Sequence, residues 1–334
     1  MKYKEARYYS VVDKEKHVVK CGLCPNECVI PEGSVGSCRV RKNVSGKLYS
    51  LNYGMLVCAG LDPIEKKPLY HFMPGTMTFS IATCGCNLHC RFCQNYEVSQ
   101  SESVLGEYVS AEAVVEMAKE QGVKSISYTY TEPTIFFEYM IDVAKLAKKA
   151  GMKNIVVSNG YINPEPLREL VKYIDAANID IKSVESGFYQ KFCGVKSVDP
   201  VINTVKLLKS AGVHVEVTNL LIETLNTSDK QIRELCRIVA SIDKEIPLHF
   251  SAFYPAYKMV EGFRRTESHV LRRAKEIAVS EGIKYVYLGN IGADEDTLCS
   301  VCGAVLVRRK GYDANVLYSF GKCKDCGKNV PFKG

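Results

Sequence analysis

The chain has 334 residues, of which 46% are hydrophobic and 24% are charged, ordinary proportions for a globular protein with a sizeable core. Its net charge of +7 is spread over short basic runs diluted by acidic residues. This argues weakly against nucleic-acid binding, because nucleic-acid-binding surfaces cluster their basic side chains. No apolar run approaches the roughly 20 residues of a membrane span, and the first residues lack the apolar core of a signal peptide. We therefore expect a cytoplasmic protein with no membrane partner.

Residues 1–76 form a cysteine-rich segment without a regular alternation of strands and helices. Four cysteines follow the spacing C-x2-C-x3-C-x9-C, and clustered cysteines in a reducing compartment more often bind metal than form disulfides. We expect either zinc or a second iron–sulfur cluster here, since four thiolates suit both. The proline-punctuated stretch LDPIEKKPLYHFMPG is predicted to be extended chain that wraps on the domain that follows. The four cysteines are Cys21, Cys24, Cys28 and Cys38.

Residues 77–292 alternate short β-branched runs with amphipathic stretches of helical period. Several helical stretches begin at Ser, Asp or Pro and end at Gly, as capped helices do. Strands that alternate with helices of about 10 to 15 residues indicate βαβ units and a parallel sheet. The number of units favours an α/β fold built on a partial or full (β/α) barrel, with its chemistry at the carboxyl ends of the strands. The predicted strands are MTFSIAT, SISYTYT, KNIVVSNG, AANIDIK, VHVEVTNLLI, LHFSAFYP and KYVYLGN.

The first of these strands leads into four closely spaced cysteines, Cys84, Cys86, Cys90 and Cys93. The last three have the spacing C-x3-C-x2-C, and three thiolates can bind three corners of a cubane 4Fe–4S cluster. The fourth iron would then lack a protein ligand, and an open metal position allows chemistry. A site closed by all four cysteines is the alternative. We disfavour it because Cys84 is set back toward the barrel, where a core or neighbouring thiol is expected.

Residues 293–334 form a tail in which 20 residues separate two C-x2-C pairs. This spacing is typical of a structural zinc ribbon. The tail is too small to fold by burial of apolar surface alone, so the metal would supply folding energy. A small iron–sulfur site and simple reduced thiols are the alternatives. The expected zinc ligands are Cys299, Cys302, Cys323 and Cys326.

The C-x3-C-x2-C loop after the first barrel strand, with Phe92 just before its last cysteine, closely resembles the signature of radical SAM enzymes. The resemblance implies a 4Fe–4S cluster whose open iron is chelated by S-adenosylmethionine (SAM). It also implies that one electron from a donor such as a flavodoxin or a ferredoxin cleaves SAM to methionine and a 5′-deoxyadenosyl radical, which abstracts hydrogen from a substrate. Phe92 is then expected on the adenine side of SAM.

Further strand ends resemble SAM contacts of the same superfamily. The TYTEPT segment resembles the GGEP segment that holds the methionine amino group, with Glu132 kept and the glycines replaced by Tyr130 and Thr131. The DIK segment resembles the D-x-K of pyruvate formate-lyase activating enzymes, and its two polar residues share one face of the strand. The resemblance therefore implies SAM contacts at Phe92, Tyr130, Thr131, Glu132, Ser158, Asn159, Asp180, Lys182 and His249.

Most of the chain takes part in a narrower resemblance. The segments CPNECVIPEGSVGSCRVR, LDPIEKKPLYHFMPG, GCNLHCRFCQNYEVSQ and YTYTEPT together resemble the AmmeMemoRadiSam-system radical SAM proteins, relatives of the glycyl-radical activating enzymes. This implies an oxidoreductase that acts on a protein or small-molecule substrate, and it leaves open whether a glycyl radical forms on a partner. Two other functions stay open: an iron–sulfur electron-transfer or metal-binding protein without SAM cleavage, and a nucleic-acid-binding ribbon protein, which would leave the barrel pattern unexplained.

Overall fold

The N-terminal part of the computed structural model consists of two small antiparallel sheets. The model describes residues 3–292, 294–319, 321–330 and 332–334. One sheet has the strand order β1-β6-β5 and the other has the order β2-β3-β4. Their bounds are β1 Lys4–Glu5, β2 Tyr9–Asp13, β3 Val18–Cys21, β4 Val29–Ile30, β5 Arg41–Val44 and β6 Lys47–Ser50.

A nine-stranded sheet forms the centre of the molecule. Its bounds are β7 Met55–Pro63, β8 Met77–Thr83, β9 Glu107–Tyr108, β10 Ser125–Tyr128, β11 Lys153–Ser158, β12 Ala176–Asp180, β13 His214–Leu221, β14 Leu248–Ala252 and β15 Val286–Gly289. The strand order is β15-β14-β13-β12-β11-β10-β8-β7-β9, in which all pairs from β8 to β15 are parallel and β7 is antiparallel to both of its neighbours. Among the described residues β15 and β9 do not pair, so the barrel is partial. The predicted α/β fold with a mostly parallel sheet is confirmed.

Helices follow the parallel strands and pack on the outer face of the sheet. Their bounds are α1 Tyr96–Ser99, α2 Ala111–Glu120, α3 Phe137–Lys149, α4 Pro164–Leu170, α5 Ser186–Phe188, α6 Asp199–Ser210, α7 Asp229–Ile242 and α8 Ser268–Ser280. Ser110 and Ser228 cap α2 and α7 with side-chain oxygens that accept backbone N–H groups of the first turn. Outward residues such as Val156 and Ile179 join the helices in one large apolar core. In the described part of the chain no helix is long and apolar enough to cross a membrane.

The stretch that was predicted to wrap on the barrel enters its interior instead. Ile64, Leu69 and Phe72 pack against the inward-facing Ile155 and Ala176 in a separate buried cluster. Backbone groups of the stretch are paired there with barrel side chains, because buried backbone groups need partners. Asn178 Nδ2 donates to the Pro68 carbonyl at 2.7 Å, and the carboxylate of Glu216 accepts the N–H groups of Tyr70 at 3.0 Å and of His71 at 2.7 Å.

The C-terminal tail is a three-stranded antiparallel sheet of β16 Thr297–Leu298, β17 Val305–Lys310 and β18 Asp313–Val316. It lies against the interior stretch. Arg309 Nη2 donates to the Tyr70 carbonyl at 2.7 Å, and the Met73 N–H donates to the Lys333 carbonyl at 2.8 Å. The tail therefore packs on the stretch that fills the barrel.

Candidate active site and metal centres

Cys86, Cys90 and Cys93 line one cavity of about 310 Å³ at the carboxyl ends of β8, β10, β11 and β12. Burial raises the pKa of the Cys86 and Cys93 thiols. Such thiols lose their protons most readily to a bound metal, because the metal replaces the stabilisation that water would give the thiolate. Cys84 does not line this cavity. Its sulfur accepts the N–H of Leu105 at 3.3 Å.

The cysteine loop is anchored to a second loop that carries Cys193. The N–H groups of His89 and Arg91, which flank Cys90, donate to the carbonyls of Cys193 and Phe192, each at 2.8 Å. A hydrogen bond with the buried Cys193 thiol lowers the pKa of Cys90. Cys193 belongs to none of the three cysteine sets of the sequence, because about 100 residues separate it from the motif and only the fold brings the two together.

Two residues of the SNGY segment, Ser158 and Asn159, line the cavity, whereas Glu132 lies behind them. The buried Glu132 carboxylate accepts the Ser158 hydroxyl at 2.7 Å and the Asn159 N–H at 2.8 Å. It also accepts the N–H of Thr134 at 2.9 Å, in its own turn. Asn159 Nδ2 in turn lies 3.6 Å from Cys86 Sγ. Glu132 therefore positions the residues that face the cavity.

Tyr130 and Thr131, which replace glycines of the family pattern, both line the cavity. Tyr130 has a φ of 65°, a left-handed conformation that glycine adopts most easily and that costs other residues roughly 1–2 kcal/mol. Its hydroxyl donates to Asp62, and the ammonium group of Lys67 lies 4.2 Å from the centre of its ring. The Thr131 hydroxyl donates to the Thr83 carbonyl at 2.7 Å. These side-chain contacts hold the backbone in the conformation that glycine would otherwise provide.

Asp180, Lys182 and Phe92 form a further part of the cavity wall. Lys182 Nζ lies 3.2 Å from Asp180 Oδ2 and 5.9 Å from the centre of the Phe92 ring. Burial opposes the charge on Lys182, but the Asp180 carboxylate together with Cys90, Cys193 and Tyr189 outweighs it and raises the lysine pKa well above its ordinary value. This part of the wall therefore presents a fixed cation beside the three thiols.

Lys66 and Lys67 line the cavity and were missed by sequence reasoning. In the sequence they form part of a short EKK run within the proline-punctuated stretch. In the structure each ammonium group lies 2.7 Å from an oxygen of Asp62, on the strand that pairs with β8. No local signal distinguishes such a run from a surface run, because the pairing partner is known only from the fold.

The structure does not bring His249 to this cavity. His249 Nε2 lies 2.6 Å from Glu216 Oε2 inside the barrel, and its ring packs edge-on against Tyr70. It lines a different cavity of about 440 Å³ beside the tail. The interior stretch, with Tyr70, lies against the inward face of this strand, and the contact of His249 with SAM stays a prediction.

The four tail cysteines form a compact set that could hold one metal ion. The sulfur atoms of Cys299, Cys302, Cys323 and Cys326 all lie within 4.8 Å of one another, with pairs at 3.6 and 3.7 Å. Zn–S bonds of about 2.3 Å in a tetrahedron place sulfurs about 3.8 Å apart. In the described residues no other group of three His, Cys, Asp or Glu ligand atoms is as close. Cys21, Cys24, Cys28 and Cys38 instead surround a second, small cavity.

Comparison with known proteins agrees with the resemblance to radical SAM enzymes. The family model of the radical SAM superfamily matches residues 80–239. An uncharacterized protein of Methanocaldococcus jannaschii is 40% identical over 98% of both chains. A pyruvate formate-lyase-activating enzyme of Clostridium pasteurianum is 25% identical over 47% of this chain and 67% of its own length. A probable GTP 3′,8-cyclase of Thermoplasma volcanium is 31% identical over 46% of this chain and 47% of its own length.

Among solved structures, a radical SAM methyltransferase from Sphaerobacter thermophilus has a TM-score of 0.51 at 16% identity. The similarity covers 70% of this chain and 71% of that one. At this level of identity the similarity shows a common fold and carries no statement about substrate.

Proposed function

Because the chain belongs to the radical SAM superfamily, we propose that it cleaves SAM reductively at a 4Fe–4S cluster held by Cys86, Cys90 and Cys93, and that it abstracts hydrogen from a protein or small-molecule substrate. The observation that carries the proposal is the cavity of about 310 Å³ that joins these three thiols to the polar ends of neighbouring strands. Three thiolates leave one iron of a cubane without a protein ligand, and the adjacent space accommodates a ligand for that iron.

The cavity wall offers a matching group for each part of SAM. The Lys182 ammonium group suits the cofactor carboxylate, and Asp180 suits a ribose hydroxyl, because charged donors and acceptors make the stronger hydrogen bonds. Phe92 presents an aromatic face to an adenine ring. The carbonyls at Tyr130 and Thr131 suit the methionine amino group. When bound, the cluster and SAM supply the electron transfer and the hydrogen abstraction, while these residues bind, orient and exclude water.

The rim of the cavity is where we propose that the substrate approaches. Gln94 and Asn95 are exposed at the rim, and so is the amino group of Lys66. An electron donor such as a flavodoxin or a ferredoxin would supply the single electron. The tail is proposed to bind a structural zinc ion, since all four tetrahedral positions would be filled by cysteine.

The direct test is release of 5′-deoxyadenosine from SAM by the anaerobically reduced protein. Wild type and the control variant Cys236→Ala, which alters a buried cysteine on α7, are expected to release it. Cys90→Ala is expected to release none, because two thiolates no longer fix the cluster in place. Undiminished release by Cys90→Ala would contradict the assignment of the ligands.

A narrower proposal is that the hydrogen is taken from a glycine of a partner protein. The similarity to the pyruvate formate-lyase-activating enzyme supports it, although that similarity covers 47% of this chain. The similarity to a probable GTP 3′,8-cyclase favours a small-molecule substrate instead. A glycyl-radical EPR doublet on a co-purified partner would select the first, and transfer of deuterium from a labelled small molecule into 5′-deoxyadenosine would select the second.

A further inference from the structure

The four N-terminal cysteines meet at one point of the fold although 17 sequence positions separate the first from the last. Cys21 ends β3, and its N–H donates to the carbonyl of Cys28 at 2.9 Å. The N–H of Ser37, next to Cys38, lies 3.4 Å from Cys28 Sγ. With Cys24 they line one small cavity, which we call the N-terminal cysteine site. Four convergent thiols in one cavity are the donor set of a metal centre.

The spacing of these thiols suits a cluster better than a single ion. In the tail, four sulfurs gather within 4.8 Å, whereas in the N-terminal cysteine site no three do so. An iron–sulfur cluster separates its cysteine ligands more widely than one ion does, because each thiolate binds a different iron. The same chain thus carries two different four-cysteine arrangements, and the wider one differs from the compact set that suits a single ion.

A buried cation at the same cavity gives an independent indication. Arg41 lines the N-terminal cysteine site and is only 1% exposed. Its Nη2 donates to both oxygens of Glu138 at 2.5 and 2.7 Å, but among the described residues its Nε–H has no partner. A buried donor without an acceptor costs free energy. A cluster with thiolate ligands carries negative charge and sulfur acceptors, which would satisfy both the cation and its free N–H.

Asn87 connects this site to the proposed SAM-cleaving cluster. Its side chain lines the N-terminal cysteine site, while its Oδ1 lies 4.0 Å from Cys86 Sγ. Its carbonyl accepts Asn26 Nδ2 at 2.7 Å, which ties the N-terminal loop to the cysteine loop. Gly85 allows the close approach: its φ is 97°, and a Cβ there would lie 3.0 Å from the Cys38 carbonyl. Asn87 therefore touches both cysteine sites.

The opposite side of the N-terminal cysteine site faces the surface. Cys28 lies between the exposed residues Glu27 and Val29, and Val29 is 61% exposed. An electron donor can approach here without entering the cavity of about 310 Å³ in which SAM and substrate are proposed to meet. Separate entry of electrons and substrate removes a steric conflict at the rim of that cavity.

We propose that the N-terminal cysteine site holds a second 4Fe–4S cluster and relays single electrons from a protein donor to the cluster at Cys86, Cys90 and Cys93. A reduced low-potential donor loses one electron and is oxidised. The N-terminal cluster gains that electron and then passes it on, returning to its oxidised state, so that no bond forms or breaks and no proton moves. The relay rests on the proposed function only because its electron acceptor is the cluster at Cys86, Cys90 and Cys93. The second cluster itself can be detected without SAM.

The metal content of anaerobically prepared full-length protein tests the first half. Wild type and the control Cys236→Ala are expected to hold about eight irons, and Cys24→Ala/Cys28→Ala about four, with the zinc content of all three unchanged. An unchanged iron content in the double variant, or a loss of zinc in place of iron, would overturn the proposal. Should the double variant fail to fold, measurements on the wild type decide. A content of about four irons, or EPR spectra of two reduced clusters without magnetic coupling, would also overturn the proposal.

The source of the electron tests the second half. With a reduced ferredoxin as donor, Cys24→Ala/Cys28→Ala is expected to lose most of the rate of reduction of the remaining cluster, followed by EPR. With dithionite, a small reductant that can reach the cavity, the same variant is expected to retain that rate. Equal rates with ferredoxin in wild type and variant would overturn the relay. If wild type holds two coupled clusters but does not cleave SAM, the proposed function fails and the second cluster stands.

Discussion

A single buried carboxylate organises the wall of the candidate active site. Glu132 accepts hydrogen bonds from Ser158, Asn159 and Thr134, so it joins the end of β10 to the end of β11. Burial raises its pKa, although the hydrogen bonds to the carboxylate act in the opposite direction. Glu132 does not itself line the cavity. Its role is therefore to position the residues that do.

Glu132→Gln is expected to weaken SAM binding while the cluster remains. The amide nitrogen cannot accept a hydrogen bond, so the N–H of either Asn159 or Thr134 loses its acceptor, and a hydrogen bond to a charged group is worth about 1.5–3 kcal/mol. The KM for SAM should therefore rise about tenfold or more, with the iron content unchanged. The exposed Glu261→Gln is the matched control and should leave the KM as in wild type. An unchanged KM in Glu132→Gln would refute the positioning role.

At the scale of elements, the tail and the barrel share one buried ion pair. Arg309 on β17 is 1% exposed, and its Nε lies 3.7 Å from Glu65 Oε1 in the interior stretch. The guanidinium group also lies 4.2 Å from the centre of the Tyr70 ring, and Nη1 donates to Thr297 at 2.7 Å. These contacts join the tail to the interior stretch, and 239 sequence positions separate Arg309 from Tyr70. The tail thereby stabilises the interior stretch that fills the open barrel.

Arg309→Met should lower the free energy of unfolding by about 3 kcal/mol, because removing one partner leaves the other charge buried and uncompensated. Arg308 offers a control on the same strand, since its side chain is 65% exposed and its nearest carboxylate oxygen is 3.9 Å away. Arg308→Met is expected to change stability by no more than about 0.5 kcal/mol. Urea unfolding of the anaerobic proteins measures both, and equal losses would contradict the role of the buried pair.

His71 makes the interior stretch sensitive to acid. It is 1% exposed, its Nε2 lies 2.6 Å from the Tyr287 hydroxyl, and its Nδ1 has no partner within the part of the chain that the structure describes. Burial lowers its pKa to about 3; the nearby Glu216 carboxylate favours the charged ring, and His214, Arg309 and His249 oppose it. The unfolded chain therefore binds a proton below about pH 6.5 that the folded chain does not. The contribution of the neutral His71 to the free energy of unfolding is therefore complete above about pH 6.5 and is lost as the pH falls toward 3.

The predicted consequence is a steeper loss of stability in wild type than in His71→Phe. Between about pH 7.5 and pH 5 the free energy of unfolding should fall by about 2 kcal/mol more in wild type. His269→Asn is the control, because the side chain of His269 is 72% exposed and its removal should leave the wild-type loss in place. Urea unfolding at the two pH values gives the comparison, and parallel losses in wild type and His71→Phe would show that His71 is protonated in the fold.

At the scale of the whole molecule, the sequence predicted what local patterns determine. All seven parallel strands were predicted because β-branched runs alternate with capped helices, although most predictions ran two or three residues past the strand ends, into the site-bearing loops. β7 was missed because Met55–Pro63 contains Ala, Gly and Pro and shows no clean alternation. Three features depend on chain segments that meet only in the fold. They are the interior position of residues 64–72, the contact of Cys193 with Cys90 and the separation of His249 from the cavity of the three central cysteines.

The central claim is that Cys86, Cys90 and Cys93 bind the cluster and that Cys84 does not. The EPR spectrum of this cluster in its reduced state tests the claim most directly. In Cys84→Ala the cluster signal should persist and should change when SAM is added, as in wild type, because the sulfur of Cys84 faces the N–H of Leu105 instead of the cavity. A signal that ignores SAM in wild type, or a cluster that is lost in Cys84→Ala, would show that all four positions are filled by cysteine and would contradict the account.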